Sequence, residues 1–242
     1  MHIIKVLFIF FWMSNCYGET YRLATGEFPP FTGASLESQG LATKIIQHTI
    51  REMGHQTKID FLPWKRGYKL TLAGNYLGTF PYSKNQERQK QWHYSSALYR
   101  LKEVFFSQKE KNFSFNTEDD LTGFVVCKPI GYNLFDLKRL IEKNLIQIQR
   151  PNEMKQCFAM LDRGRVDLVM TNVAAGRKAI ELAGLNFNHY DVTDKAFVDI
   201  GHHLIVPKSR NGGKEFLAVF DEVLRKSKNA GIVDKYMQEY LQ

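Results

Sequence analysis

One arrangement limits the folds open to this chain more than any other: an alternation of strand-like and helical segments that occurs twice. Tyr21 to Thr25 reads as a first strand. Leu41, Ile45, Ile46, Ile50 and Met53 then recur on one helical face, and Gly54 stops the helix. Thr57 to Leu62 is a second strand, and Pro63-Trp64 opens a second helix that ends near Gly74. Tyr76 to Tyr82 is a third strand. This β-α-β-α-β order predicts a parallel sheet with helices on its faces. The pattern restarts with a strand at Phe124 to Cys127 and a helix marked by Leu134, Leu137, Leu140, Ile141 and Leu145. Strand Ile146 to Gln149, a helix capped by Asn152 and ended by Gly164, strand Val166 to Thr171 and helix Val173 to Ala183 complete the second block.

The spacing leaves two strand-like connections between the blocks, one near Glu103 to Gln108 and one near Phe197 to His202. Two helices close the chain, around Phe216 to Leu224 and from Ile232 to Leu241. The expected fold class is therefore α/β with two lobes, each a mostly parallel sheet flanked by helices. Residues 19–105 plus 201–242 form the first lobe and 106–200 the second. Two crossovers between lobes make a hinge, and the cleft between them is a natural ligand site.

The N-terminus carries His2 and Lys5, then an apolar run from Val6 to Met13, then Ser14, Asn15, Cys16, Tyr17 and Gly18. A short basic start, a short apolar core and a small residue describe an export signal, residues 1–18, cleaved after Gly18. The run is too short to span a bilayer, which takes about 20 residues. Cys16 fits a lipidated processing site poorly, because Asn15 is not a small residue. The expected location is periplasmic. Lys5 is the signal's only counted charge, so the net charge of +8 falls to +7 on its removal. A modest positive excess draws in anionic solutes. There is no Lys/Arg block and no nucleic-acid motif, so nucleic acid is not an expected partner.

Two cysteines remain after that cleavage, Cys127 in a predicted strand and Cys157 on a predicted helix. In an oxidising compartment such an even pair is expected to form a disulfide; the alternative is two buried thiols. The sequence calls for no metal or cofactor. His202 and His203 are adjacent in a predicted strand and point to opposite faces, so they do not share one ion.

The chemistry concentrates after the third strand. Gly78-Thr79-Phe80-Pro81-Tyr82-Ser83 leads into Asn85-Gln86-Glu87-Arg88, a strand end, a turn and a helix start. An Arg there offers a flat fork of donors that matches a carboxylate. Exposed amides at a helix start add partial positive charge. The Glu27-to-Phe31 loop, Gly131-Tyr132 and Asn172 also follow predicted strand ends, where open α/β sheets bind ligands. Trp64 and Tyr82 are further aromatic candidates.

Five segments together carry a family resemblance: Gly26-Glu27-Phe28-Pro29-Pro30-Phe31, Gly40-Leu41-Ala42, Ser83-Lys84-Asn85-Gln86-Glu87-Arg88, Trp92-His93-Tyr94-Ser95 and Leu161-Asp162-Arg163-Gly164-Arg165-Val166-Asp167. In this order the chain resembles a periplasmic solute-binding protein of the family that includes the polar amino-acid receptors of ABC importers. The resemblance implies a type II periplasmic-binding fold, no catalysis and a membrane permease as partner to a monomeric receptor. It places the covering aromatic on Phe28, the hydroxyl on Ser83 and the carboxylate-holding arginine on Arg88. The family's ammonium-binding aspartate falls on Asn172, a departure. Either the ligand is not a standard α-amino acid or Glu27 supplies the negative charge. Two other functions fit the same scaffold: an exported dehydratase, with Glu27 as its acid, and a sensor that signals to a separate membrane protein.

Overall fold

A computed structural model describes residues 18–134 and 137–241; the expected export signal, with Cys16, lies outside the described residues apart from Gly18. The first block forms β1 (Thr20–Thr25), α1 (Leu41–Glu52), β2 (Gln56–Phe61), α2 (Trp64–Leu72), β3 (Gly78–Ser83), α3 (Gln86–Gln91), β4 (Trp92–Tyr94) and β5 (Tyr99–Gln108). The second forms β6 (Val125–Cys127), α4 (Lys138–Glu142), β7 (Gln147–Gln149), α5 (Met154–Asp162), β8 (Leu168–Asn172), α6 (Val173–Leu182) and β9 (Tyr190–Val192). The chain returns through β10 (Val198–Pro207) and ends in α7 (Gly213–Asn229) and α8 (Ile232–Leu241).

The described strands join in one sheet of order β2-β1-β3-β10-β5-β8-β6-β7, with β4 on β10 and β9 on β5. Each half has a parallel centre. β1 pairs parallel with β2 and β3, and β6 pairs parallel with β7 and β8. The two ten-residue strands β5 and β10 run antiparallel and tie the halves together, in register from Val198↔Glu103 to His202↔Tyr99. β10 also pairs with β3, and β5 with β8.

Apolar cores lie on both faces of each half. In the first half, Leu41, Ile45, Ile46 and Ile50 of α1 pack with Phe216, Phe220 and Leu224 of α7 against Leu23 and Leu204. Trp92, Tyr82 and Ile205 pack beneath α2 on the opposite face. In the second half, Cys157, Phe158 and Leu161 of α5 pack with Ala179 and Ile180 of α6 against Phe106 and Val169. Phe105, Leu140, Ile146 and Met170 fill the other side.

Three helices depart from the sequence reading in their bounds or caps. Of the helix expected over Leu134 to Leu145, the described residues form a helix at Lys138–Glu142. α5 is capped not by Asn152 but by Glu153, in a capping box with Gln156. The closing helix expected to end at Leu224 continues to Asn229.

Cys127 and Cys157 form a disulfide with their Cα atoms 5.5 Å apart, joining β6 to α5 across 30 residues of sequence. Closing a loop of that length restricts the unfolded chain. Reduction, or the Cys127→Ser, Cys157→Ser pair, is expected to cost about 2–4 kcal/mol. The readout is a lower urea midpoint, and an unchanged midpoint would contradict this role.

Candidate functional site

Between the two halves, next to the β5–β10 ladder, lies a cavity of about 70 Å³, several times the ~10–15 Å³ that one water needs. Its described lining includes Phe28, Trp64, Tyr82, Ser83, Arg88, Gly131 and Tyr132, seven of the nine candidates read from sequence. Glu103, Lys128, Asn133, Pro81, Ile200 and His202 complete it.

Arg88 is positioned by a local cap. Asn85 is the N-cap of α3, and its side-chain oxygen accepts from the Arg88 backbone N–H at 2.8 Å. Asn is favoured at that position because its side chain satisfies an amide the helix cannot. The Arg88 guanidinium donates to the Ser83 carbonyl at 3.1 Å and lies 4.8 Å from the Tyr82 ring centre. At that distance the cation is attracted to the aromatic face. Across the cleft, Asn133 Nδ2 donates to Ser83 Oγ at 2.7 Å.

Aromatic rings make the walls. Phe28 meets Tyr132 edge-to-face at 5.3 Å, and Trp64 meets Tyr82 the same way at 5.6 Å. Trp64 Nε1 donates to the Glu27 carbonyl at 3.3 Å, which fixes the indole. Two glycines make room for it. A Cβ on Gly26 would sit 2.5 Å from the indole. One on Gly131, whose φ of +89° already disfavours other residues, would sit 3.0 Å from the Trp64 Cβ.

Glu27 and Asn172 stand apart from the cavity. Glu27 is exposed, and its carboxylate accepts from the Ala34 N–H at 3.0 Å, so it braces its own loop. Asn172 is buried and caps α6, accepting from the Ala175 N–H at 2.9 Å; its Nδ2 has no hydrogen-bond partner among the described residues.

Sequence reasoning missed the charged pair. Glu103 and Lys128 are buried, with Nζ donating to Oε2 at 3.1 Å and side chains 7 % and 3 % exposed. Breaking such a pair by removing one partner typically costs about 3–5 kcal/mol, because the other charge stays buried. A signal for Glu103 existed in the period-2 phase of Tyr99, Leu101, Glu103 and Phe105, which puts a carboxylate on an apolar face. His202 and His203 do face opposite ways. His203 Nδ1 lies 2.8 Å from the Ser95 carbonyl, while His202 lines the cavity and stacks on Tyr99 at 5.2 Å. Among the described residues no three His, Cys, Asp or Glu cluster as metal ligands, and no helix is long and apolar enough to cross a membrane.

No family model and no curated protein matches the chain. Solved structures do. An amino-acid ABC-transporter substrate-binding protein from Streptococcus pneumoniae, bound to L-arginine, superposes with a TM-score of 0.74 at 18 % identity, over 92 % of this chain and 94 % of its own. This is the two-lobed substrate-binding-protein fold. A histidine-kinase sensor domain with similarity to periplasmic binding proteins shares it at a TM-score of 0.77 and 14 % identity, over 91 % and 96 % of the two chains. An ancestral amino-acid-binding protein, described as a precursor of cyclohexadienyl dehydratase, shares it at 0.74 and 17 %, over 92 % and 96 %. In the substrate-binding fold, the β5–β10 ladder of this chain joins the lobes and the cavity lies between them.

Burial pushes the His202 imidazole down to about 4, against a smaller upward pull from Glu103. The unfolded chain, near 6.5, therefore takes up that proton before the native state does. Stability is full above about pH 6.5 and falls as pH drops from there towards 4, by up to about 1.4 kcal/mol per pH unit from this group. His202→Gln is expected to shrink the fall in melting temperature between pH 7 and pH 5. An identical fall in both proteins would contradict a buried neutral His202.

Proposed function

We propose that this chain is an exported, non-enzymatic receptor that closes on a small carboxylate-bearing solute and presents it to the permease of an ABC importer. The observation that carries the reading is Arg88. Its backbone is fixed by the Asn85 cap, its guanidinium lies over the Tyr82 ring, and it lines an interlobe cavity walled by Phe28, Trp64, Tyr82 and Tyr132. A planar fork of donors in a partly desolvated cleft binds a carboxylate through two parallel charge-assisted bonds. Aromatic walls supply contact area with few torsions to freeze.

In this reading residues 19–105 with 201–242 form the lobe that carries Arg88, and 106–200 form the lobe that brings Gly131, Tyr132 and Asn133. The ligand favours the closed form because it contacts both lobes there and only one when they part. The Ser83–Asn133 hydrogen bond and the Phe28–Tyr132 ring contact cross the cleft in the same way. The export signal at 1–18 and the monomeric state belong to this proposal. The acid that the dehydratase alternative drew on, Glu27, does not line the cavity; turnover of a candidate acid by the purified protein would separate that alternative from binding. A sensory role would use the same binding step with a different membrane partner.

The test is a thermal-shift screen of amino acids, dicarboxylates and small aromatic acids, followed by Arg88→Ala with the best ligand. The variant is expected to weaken binding about hundredfold or more. Its ligand-free melting temperature should move by no more than about 3 °C. A large loss of ligand-free stability with affinity retained would make Arg88 a structural residue.

A further inference from the structure

The cavity holds a second charged centre besides Arg88. Lys128 follows the end of β6, and Glu103 sits on β5 directly across the ladder from Asn172. An ammonium has three donors. Among the described residues Lys128 Nζ makes one hydrogen bond, to Glu103, although the side chain is only 3 % exposed. A buried cation with donors directed at a cavity can take an acceptor that enters with the ligand, in place of water.

The sign of that second ligand group follows from the neighbours. Glu103 is the only carboxylate among the described lining residues, and Lys128 already occupies it. A ligand ammonium at Glu103 would meet the Lys128 ammonium on the same carboxylate, in a site with little water to screen them. Asn172 offers no relief, since its oxygen caps α6. An aspartate there would also stand directly opposite Glu103, where like charges on paired strands repel. His202, buried beside the pair, carries no negative charge to offset a cation.

We propose that the Glu103–Lys128 pair is the second anchor of the ligand site. It selects small acids whose second polar group is an oxygen acceptor, a second carboxylate or a 2-oxo group, over α-amino acids. One carboxylate docks on Arg88, and the second acceptor takes the spare Lys128 donors. The inference rests on the carboxylate-receptor reading above and narrows it.

The experiment is titration calorimetry of the purified full chain with succinate, 2-oxoglutarate, L-alanine and L-glutamine. Succinate or 2-oxoglutarate should bind at least about tenfold tighter than either amino acid. The double variant Glu103→Gln, Lys128→Met removes both buried charges at once, so neither is left uncompensated. It should lose that preference. Amino acids binding tighter than both oxygen acids would overturn the anchor while leaving the carboxylate receptor standing. Failure of all four to bind would overturn the anchor, while the wider screen above decides the carboxylate receptor. A double variant that keeps the wild-type preference overturns the anchor, and if that variant does not fold, the wild-type ranking of the four probes decides.

Discussion

The antiparallel ladder between β5 and β10 is the constraint on which the rest of the structure depends. Each of these ten-residue strands belongs to both halves of the sheet, so the ladder is the one part of the described sheet that the two halves share. Paired residues share a face. Glu103 therefore lies on the same side as Ile200 and His202, and all three line the cavity. The element that joins the lobes is also the floor of the site. In the proposed receptor, a change in lobe angle would pivot about the side chains that the ligand touches, which would couple binding to closure without a relay.

The walls follow from residues that could adopt few other arrangements. Trp64 opens α2, with Pro63 before it at the N-cap, and reaches the cleft because Gly26 and Gly131 leave no Cβ in its path. Gly40 does similar service under the first loop, where a Cβ would lie 2.6 Å from the Phe31 carbonyl oxygen and φ is +94°. That close approach lets the Phe31 and Pro30 carbonyls accept from the first amides of α1, and it holds Phe28 against Tyr132. Among the described residues, aromatic walls surround two cationic side chains and one carboxylate, an arrangement that in the proposed receptor favours discrimination by charge placement.

Much of this was legible from residue order. The alternating β and α segments gave both parallel centres, the two crossovers and the cleft. The Asn85 cap, which aims Arg88, is a short-range feature and shows in four consecutive residues. What escaped was long-range. Glu103 and Lys128 are 25 residues apart in sequence and meet only once the lobes are built. β4 and β9 are three-residue strands whose pairing to β10 and β5 has no local signature. Glu27 followed a strand end as Arg88 did, but the free Ala34 amide of its own loop was nearer than the cavity. Asn172 stood out in the sequence as a departure from the family's aspartate, and it does not line the cavity. Its side-chain oxygen caps α6, and the carboxylate nearest to it in the ladder is Glu103, its cross-strand partner on β5.

A crystal structure of the protein with its tightest-binding carboxylate would test the central claim most directly. The account predicts closed lobes, a ligand carboxylate within about 3.2 Å of the Arg88 guanidinium nitrogens, and van der Waals contact with Phe28 and Tyr132 from opposite sides of the cleft. A ligand held elsewhere on the surface, or one bound with the lobes apart and Arg88 out of reach, would contradict it.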